Sequence, residues 1–328
     1  MKLSYLWALA LFTVCTLWGC QDDLDIKDDG NLVAKTVDQD SSLPSISINN
    51  ALLHAEAFGP INGPMVVVLH GGPGSDYRYL LNCKKFADQG FRVVFYDQRG
   101  SGLSQRFPKS HYTMQVLYDD LSGVINHYRT SPSQKIFLLG HSWGAMLASA
   151  YINQYPTVIN GVILAEPGGL IWKDVEGYIE RSRKFKYFSE LLNDAVYADQ
   201  FISGKKDEHA ILDYKFDLLT SGESKDIGNE GDLPGWRSGA VTFDAYFELG
   251  DREKPNWTEN LDEYKSEVLF IYSANNKAYG LSHALKVSSA YPFVRLFKTE
   301  GAGHDMLSFP TGWNNTYPVM LEYLTSIK

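Results

Sequence analysis

Beyond about residue 45, short apolar runs alternate with amphipathic stretches along the chain. The clearest runs span 65–69, 91–96, 135–139, 162–164, 268–272 and 294–298. They read as the strands of a largely parallel sheet. The first four end at clusters of Gly, Asp, Ser or Glu, and the last two run toward Ser/Asn and Gly/His. The whole predicts an α/β fold with a mostly parallel twisted sheet and flanking helices, whose ligands gather outside the carboxyl ends of the strands. The rhythm breaks over 168–265, a longer stretch rich in aromatic and charged residues that reads as helices and loops. A mainly helical cap over 168–265, inserted into a core formed by 45–167 and 266–328, is the expected organisation. Residues 21–44 are acidic and Ser-rich without apolar periodicity, which predicts a flexible tether.

Candidate chemistry sits at the predicted strand ends. Gly140-His141-Ser142-Trp143-Gly144 follows one apolar run and precedes a helical stretch over 145–155. A serine on a sharp strand-to-helix turn is exposed as a nucleophile, and its neighbours must be small to avoid a clash. Without its flanking strand and helix the five-residue pattern would be an ordinary glycine turn. His70-Gly71-Gly72-Pro73-Gly74 follows an earlier strand. In such hydrolases a glycine-rich loop there donates one backbone N–H to the oxyanion, and the residue after the nucleophile donates the other. Gly72 (with Gly71 as the other candidate) and Trp143 are the expected donors. The general base comes last in chain order, and His304 in Gly301-Ala302-Gly303-His304 fits that place.

Together with Asp97-Gln98-Arg99-Gly100-Ser101-Gly102-Leu103-Ser104, the glycine loop and the serine turn resemble the proline iminopeptidase family of α/β-hydrolases. The likeness spans roughly residues 45–166 and 266–328. It implies a serine hydrolase, with a Ser-His-acid triad and an α/β-hydrolase fold, that removes an N-terminal residue, often proline, from short peptides or amides. The middle stretch is expected to hold the loop beside the site. Two features depart from the family pattern. Its acid is an Asp after the penultimate strand, where this chain has Ser273-Ala274-Asn275-Asn276. Asn276 can orient a histidine but brings no charge to stabilise an imidazolium. Glu166, one strand beyond the serine, is the expected acid, since some α/β-hydrolases place it there; Asn276 is the alternative position. Family members also bind the substrate amine through cap glutamates, one in a Trp-x-x-Trp-Glu element that is missing here. Glu180, Glu190, Asp244 and Glu248 are the candidates in its place. An esterase of small esters, and a non-catalytic pseudo-hydrolase that binds a ligand, are the competing expectations.

Composition narrows the partners. The formal net charge of −9, with no basic stripe, argues against a nucleic-acid partner. No metal-ligand spacing, phosphate loop or dinucleotide fingerprint is present, and no cofactor is expected. The first residues form a separate unit: Met1-Lys2, then an apolar run over 6–17 that is short for a membrane span but suits a signal peptide. It ends at Leu17-Trp18-Gly19-Cys20, which resembles the processing site of a bacterial lipoprotein, so residues 1–20 are expected as signal peptide with Cys20 lipidated. The following Gln21-Asp22-Asp23 resembles an acidic surface-export tag. The mature chain would then keep Cys20 and Cys83, too few for a disulfide framework. The expected location is the bacterial cell envelope, held to a membrane by the lipid, at the outer membrane or cell surface.

Overall fold

A computed structural model of the protein describes residues 32–182, 208–220 and 227–328. The expected signal peptide, Cys20 and Glu190 lie outside these residues. Val33–Lys328 forms a compact unit around one sheet of eight strands in the order β1-β2-β4-β3-β5-β6-β7-β8. The strands are β1 Ser45–Ile48, β2 Ala51–Phe58, β3 Met65–Leu69, β4 Arg92–Tyr96, β5 Ile136–His141, β6 Gly161–Ala165, β7 Val268–Ser273 and β8 Val294–Thr299. From β4 to β8 every pairing is parallel, while β1 and β2 are antiparallel at one edge. The six runs seen in the sequence are the six parallel strands. β1 and β2 escaped notice because β2, Ala-Leu-Leu-His-Ala-Glu-Ala-Phe, buries one part and leaves another half exposed, so no continuous apolar run marks it.

Both faces of the inner strands are covered, which explains their apolar runs, while β8 at the edge is half-exposed and carries Arg295 and Lys298. On β3, Met65, Val67 and Leu69 point into one core cluster while Val66 and Val68 point into the other. The first cluster lies under α1 Met114–Tyr128 and α2 Trp143–Gln154; the second lies under the 3-10 helix Arg78–Gln89 and the C-terminal helix Pro310–Ser326. Thr113 caps α1 by accepting from the Val116 N–H at 3.1 Å.

The stretch between β6 and β7 contains α3 Trp172–Ser182, α4 Glu208–Thr220 and α5 Ala240–Glu253. It is tied closely to the sheet end. Asp213 of α4 is buried and accepts from Arg106 Nε at 3.0 Å, Arg237 Nε at 2.7 Å and Ala240 N–H at 2.9 Å. The Gly239 N–H donates to Gly74 O at 2.6 Å. After β7 follows α6 Gly280–Ser288, and the C-terminal helix is α7. The tether expected over 21–44 does not extend to its predicted end: Thr36 and Val37 are buried, and Val37 N–H donates to Leu103 O at 2.9 Å. Arg237 Nη1 also donates to Ala34 O at 2.9 Å. Two buried residues and bonds made to the segment's backbone leave no periodic signal, so composition alone read this segment as a flexible tether. No helix among the described residues is long and apolar enough to cross a membrane.

Candidate active site

Ser142 stands at the junction of β5 and α2 with φ 54° and ψ −118°. A non-glycine residue held there costs roughly 1–3 kcal/mol and persists only where the surroundings impose it. The surroundings here are two glycines: a Cβ on Gly140 would lie 2.3 Å from Gly144 O, and one on Gly144 would lie 2.1 Å from Leu69 O. Only at these contacts can strand and helix approach closely enough to make the turn. The Ser142 N–H is anchored on Ala165 O at 2.8 Å.

The glycine loop lies against this turn. The Gly71 N–H donates to the Tyr79 hydroxyl at 2.6 Å, so of the two candidate donors in the loop it is the Gly71 one that is already engaged. Among the described residues no hydrogen bond engages the Gly72 N–H. Trp143 opens α2, so its N–H has no acceptor within the helix. Gln98 holds the loop: its N–H donates to His70 Nε2 at 2.9 Å, its Nε2 to His70 O at 2.9 Å, and its Oε1 accepts from Trp143 Nε1 at 3.1 Å. Burial pushes the His70 pKa down, which keeps Nε2 an acceptor while Nδ1 donates to Gly71 O at 2.8 Å. Asp97, also buried, accepts from the Tyr77 and Leu103 N–H groups at 2.9 and 2.8 Å. The 97–104 stretch therefore acts as the expected brace beside the site.

Glu166 follows β6 with φ 46° and is fully buried. Its Oε1 accepts from Ser273 N–H at 2.7 Å and Ser273 Oγ at 2.6 Å. Its Oε2 accepts from His304 Nδ1 at 2.6 Å and Asn276 Nδ2 at 2.7 Å. The two candidate acid positions thus have different roles: Glu166 faces the histidine, and Asn276 grips the glutamate. Asn276 itself is oriented by accepting from the Tyr279 N–H at 3.1 Å. Tyr178, from α3, brings its hydroxyl to 3.2 Å from both His304 Nδ1 and Asn276 Nδ2.

His304 is pinned through its backbone as well. Its N–H donates to Ile227 O at 2.8 Å, and its carbonyl accepts from His141 Nε2 at 2.8 Å. His141 Nδ1 lies 2.9 Å from the Tyr79 hydroxyl. A chain of bonds therefore links Gly71, Tyr79, His141 and His304, joining the glycine loop to the histidine loop. Burial, reinforced by the neighbouring His304, pushes the His141 pKa down to about 3, so it serves as a neutral connector. His141, His304 and Asp305 bring potential ligand atoms within 4.8 Å of one another. Those groups are engaged by Tyr79, Glu166 and Asn229, so the trio is built as a hydrogen-bond network.

Ser142, Gly72, Trp143 and His304 line one cavity of about 640 Å³. Its walls are largely aromatic, with Trp172, Tyr178, Trp236, Phe243 and Phe247. Of the acids expected to meet a substrate amine, Glu180, Asp244 and Glu248 are not among the lining residues. Asp244 and Glu248 are held by Lys109, Asp244 at 2.6 Å, and Glu180 is exposed outside the cavity. Helical spacing alone had no way to tell these solvated positions from inward ones. Among the described residues, the carboxyl groups on the cavity are Asp76, Asp217, Asp232 and Asp305. Burial, helped by nearby Asp97, pushes Asp76 up to about 7, while its oxygens accept from the Arg78, Trp236 and Arg237 N–H groups. Burial also raises Asp217, on α4. Tyr79, Tyr178 and Asp217 were not foreseen, because nothing local marks them and only the fold brings them to the cavity.

Residues 62–223 match the family described as serine aminopeptidase, S33. The proline iminopeptidase of Clostridioides difficile is 30% identical over 230 residues, 64% of this chain and 73% of that enzyme. The proline iminopeptidase of Thermoplasma volcanium is 36% identical over 105 residues, 32% of this chain and 34% of that enzyme. Epoxide hydrolase B of Mycobacterium tuberculosis is 36% identical over 114 residues, 34% of this chain and 31% of that enzyme. For several curated relatives, then, the chain spans about a third of their length. A proline iminopeptidase-related protein from Thermus thermophilus superposes with a TM-score of 0.59 at 21% identity, covering 87% of this chain and 99% of that one. By sequence and by fold, the chain belongs to the α/β-hydrolase family that includes the proline iminopeptidases.

Proposed function

We propose that the protein is a serine hydrolase that releases an N-terminal residue from short peptides or amides. Ser142 attacks the carbonyl, and His304 takes its proton through Nε2 while Nδ1–H stays on Glu166. The Gly72 and Trp143 N–H groups receive the developing oxyanion. The imidazolium is stabilised by the Glu166 carboxylate and then returns its proton to the leaving amine. Collapse of the tetrahedral adduct leaves an acyl group on Ser142, and a water activated by His304 hydrolyses it. The strongest support is the 2.6 Å contact of Glu166 with His304 on the cavity that also exposes the strained Ser142. Asp217, the partly buried carboxyl on the cap side of the cavity, is the group we assign to a substrate ammonium. The test is turnover of a prolyl anilide together with fluorophosphonate labelling. Both should vanish in Ser142→Ala, and activity retained by that variant would overturn the assignment.

The esterase reading keeps the same machinery. It is favoured by the aromatic cavity walls and by the outward position of Asp244 and Glu248. Comparable rates on N-blocked substrates or simple esters would select it over the aminopeptidase. We further propose that the chain is a lipoprotein of a bacterial envelope, processed at Cys20, on the strength of the apolar run ending there. Fatty-acid incorporation that persists in Cys20→Ser would refute this.

A further inference from the structure

Outside the catalytic cavity, a second cleft of about 560 Å³ opens between α3 and the first turn of α6. The helix α3 divides the two spaces. Trp172, Val175 and Tyr178 line the catalytic side, and Lys173, Asp174 and Arg181 line the other. Among the described residues, Lys277 and Lys286 complete a wall of four cations facing one carboxylate. That carboxylate, Asp174, is already taken by Lys286 at 2.5 Å. Lys173 and Lys277 have no carboxylate partner among the described residues. Such a concentration stands out in a chain of net charge −9.

Arg181 makes the cleft more than a group of surface lysines. Its Nε donates to Ala278 O at 2.8 Å, and its Nη2 lies 3.2 Å from His283 Nδ1. His283 Nε2 is bonded to Gly168 O at 2.8 Å, so Nε2 carries the proton and Nδ1 is the acceptor. Burial lowers the His283 pKa and keeps that ring neutral. The guanidinium is therefore oriented by two uncharged acceptors, a carbonyl and an imidazole, and no carboxylate among the described residues pairs with its charge. A fixed guanidinium flanked by mobile ammonium groups is the arrangement that recognises a phosphate.

We infer that the cleft between α3 and α6 binds a phosphate-bearing anion, held by Arg181 with Lys173 and Lys277. This site is separate from the hydrolytic one and does not rest on the proposed activity. The anion is either a soluble phosphate ester or the headgroup of a lipid, and two probes separate these sources. Isothermal titration of the full chain is run with glycerol 3-phosphate and with a short-chain phosphatidic acid kept below its micelle concentration. Either probe should bind, more weakly as salt rises. The affinity should fall about tenfold or more in Arg181→Gln and in the Lys173→Gln/Lys277→Gln double variant. The lysine pair is exposed, so that variant tests the site without threatening the fold. Tighter binding of the phosphatidic acid assigns a lipid headgroup, and equal binding assigns a soluble ester. Absence of binding by both probes, or binding undiminished in both variants, would overturn the inference.

Discussion

Replacing Glu166 by glutamine removes one charge and almost no volume. The carboxylate accepts four hydrogen bonds, two on each oxygen. An amide supplies only one acceptor oxygen. If that oxygen keeps the Ser273 contacts, the new NH₂ faces the Asn276 NH₂ and His304 Nδ1. Asn276 cannot readily turn over, because its Oδ1 is used by the Tyr279 N–H. The histidine is then driven to the tautomer protonated on Nε2, where it cannot accept the serine proton. The lost charge interaction follows from Coulomb's law: about 4 kcal/mol for unit charges 4 Å apart at an effective dielectric constant of 20. That corresponds to about 10³ in rate. The tautomer change adds to it, and amide replacement of a triad acid in a serine protease costs about 10⁴. Glu166→Gln should therefore lower kcat/KM on a prolyl anilide or a reactive ester by about 10³ to 10⁴, mainly in kcat. Fluorophosphonate labelling of Ser142 should slow in parallel, while circular dichroism and a thermal melt report the fold. A natively folded variant within about tenfold of the wild type would refute Glu166 as the acid.

Asn276→Asp would set a second carboxyl group against Glu166, where 2.7 Å now separates donor from acceptor. Like charges at that distance raise the pKa of the pair, so the acidic limb of the kcat profile should move up by about one unit or more. An unmoved limb would show that residue 276 does not act on Glu166. Gly144→Ala forces a Cβ to 2.1 Å from Leu69 O, a backbone atom in the sheet centre. Such overpacking should cost about 3 kcal/mol and lower the denaturant midpoint, and an unchanged midpoint would contradict the close strand-helix contact. His141 supplies a pH test, since its folded pKa of about 3 lies below its unfolded value. Its contribution to stability is complete above about pH 6.5 and is lost as pH falls toward 3, at roughly 1 kcal/mol per pH unit, because only the unfolded chain takes the proton. Urea denaturation between about pH 7 and pH 5 should show a shallower loss in His141→Gln than in the wild type; equal slopes would refute a buried neutral His141.

Much of the fold was legible because its determinants are local. A strand buried on both faces must be apolar, so β3 to β7 announce themselves, and the half-exposed β8 still shows as a short apolar run broken by Arg295 and Lys298. Ser142 and His304 were legible for a similar reason, since a turn that tolerates only small neighbours leaves glycines in the sequence. The acid was not decided locally. Glu166 and Asn276 both follow strands that lie side by side, and their spacing along the chain does not say which one faces the histidine. The parallel register of β6 and β7 answers it, by setting Ser273 and Asn276 as donors around a glutamate carboxylate aimed at His304. The cap was harder still. Asp217 faces the cavity while Asp244 and Glu248 face solvent beside Lys109. Charge on a helix reveals its orientation only when a neighbour buries one side. What the sequence determined alone was therefore the sheet, the turn that carries Ser142 and the small-residue loop that carries His304, each fixed by sterics within a few residues. The pairing of Glu166 with His304, the chain through Tyr79 and His141, and the acids that meet the cavity were decided by contacts between segments far apart in the chain, which only tertiary packing brings together.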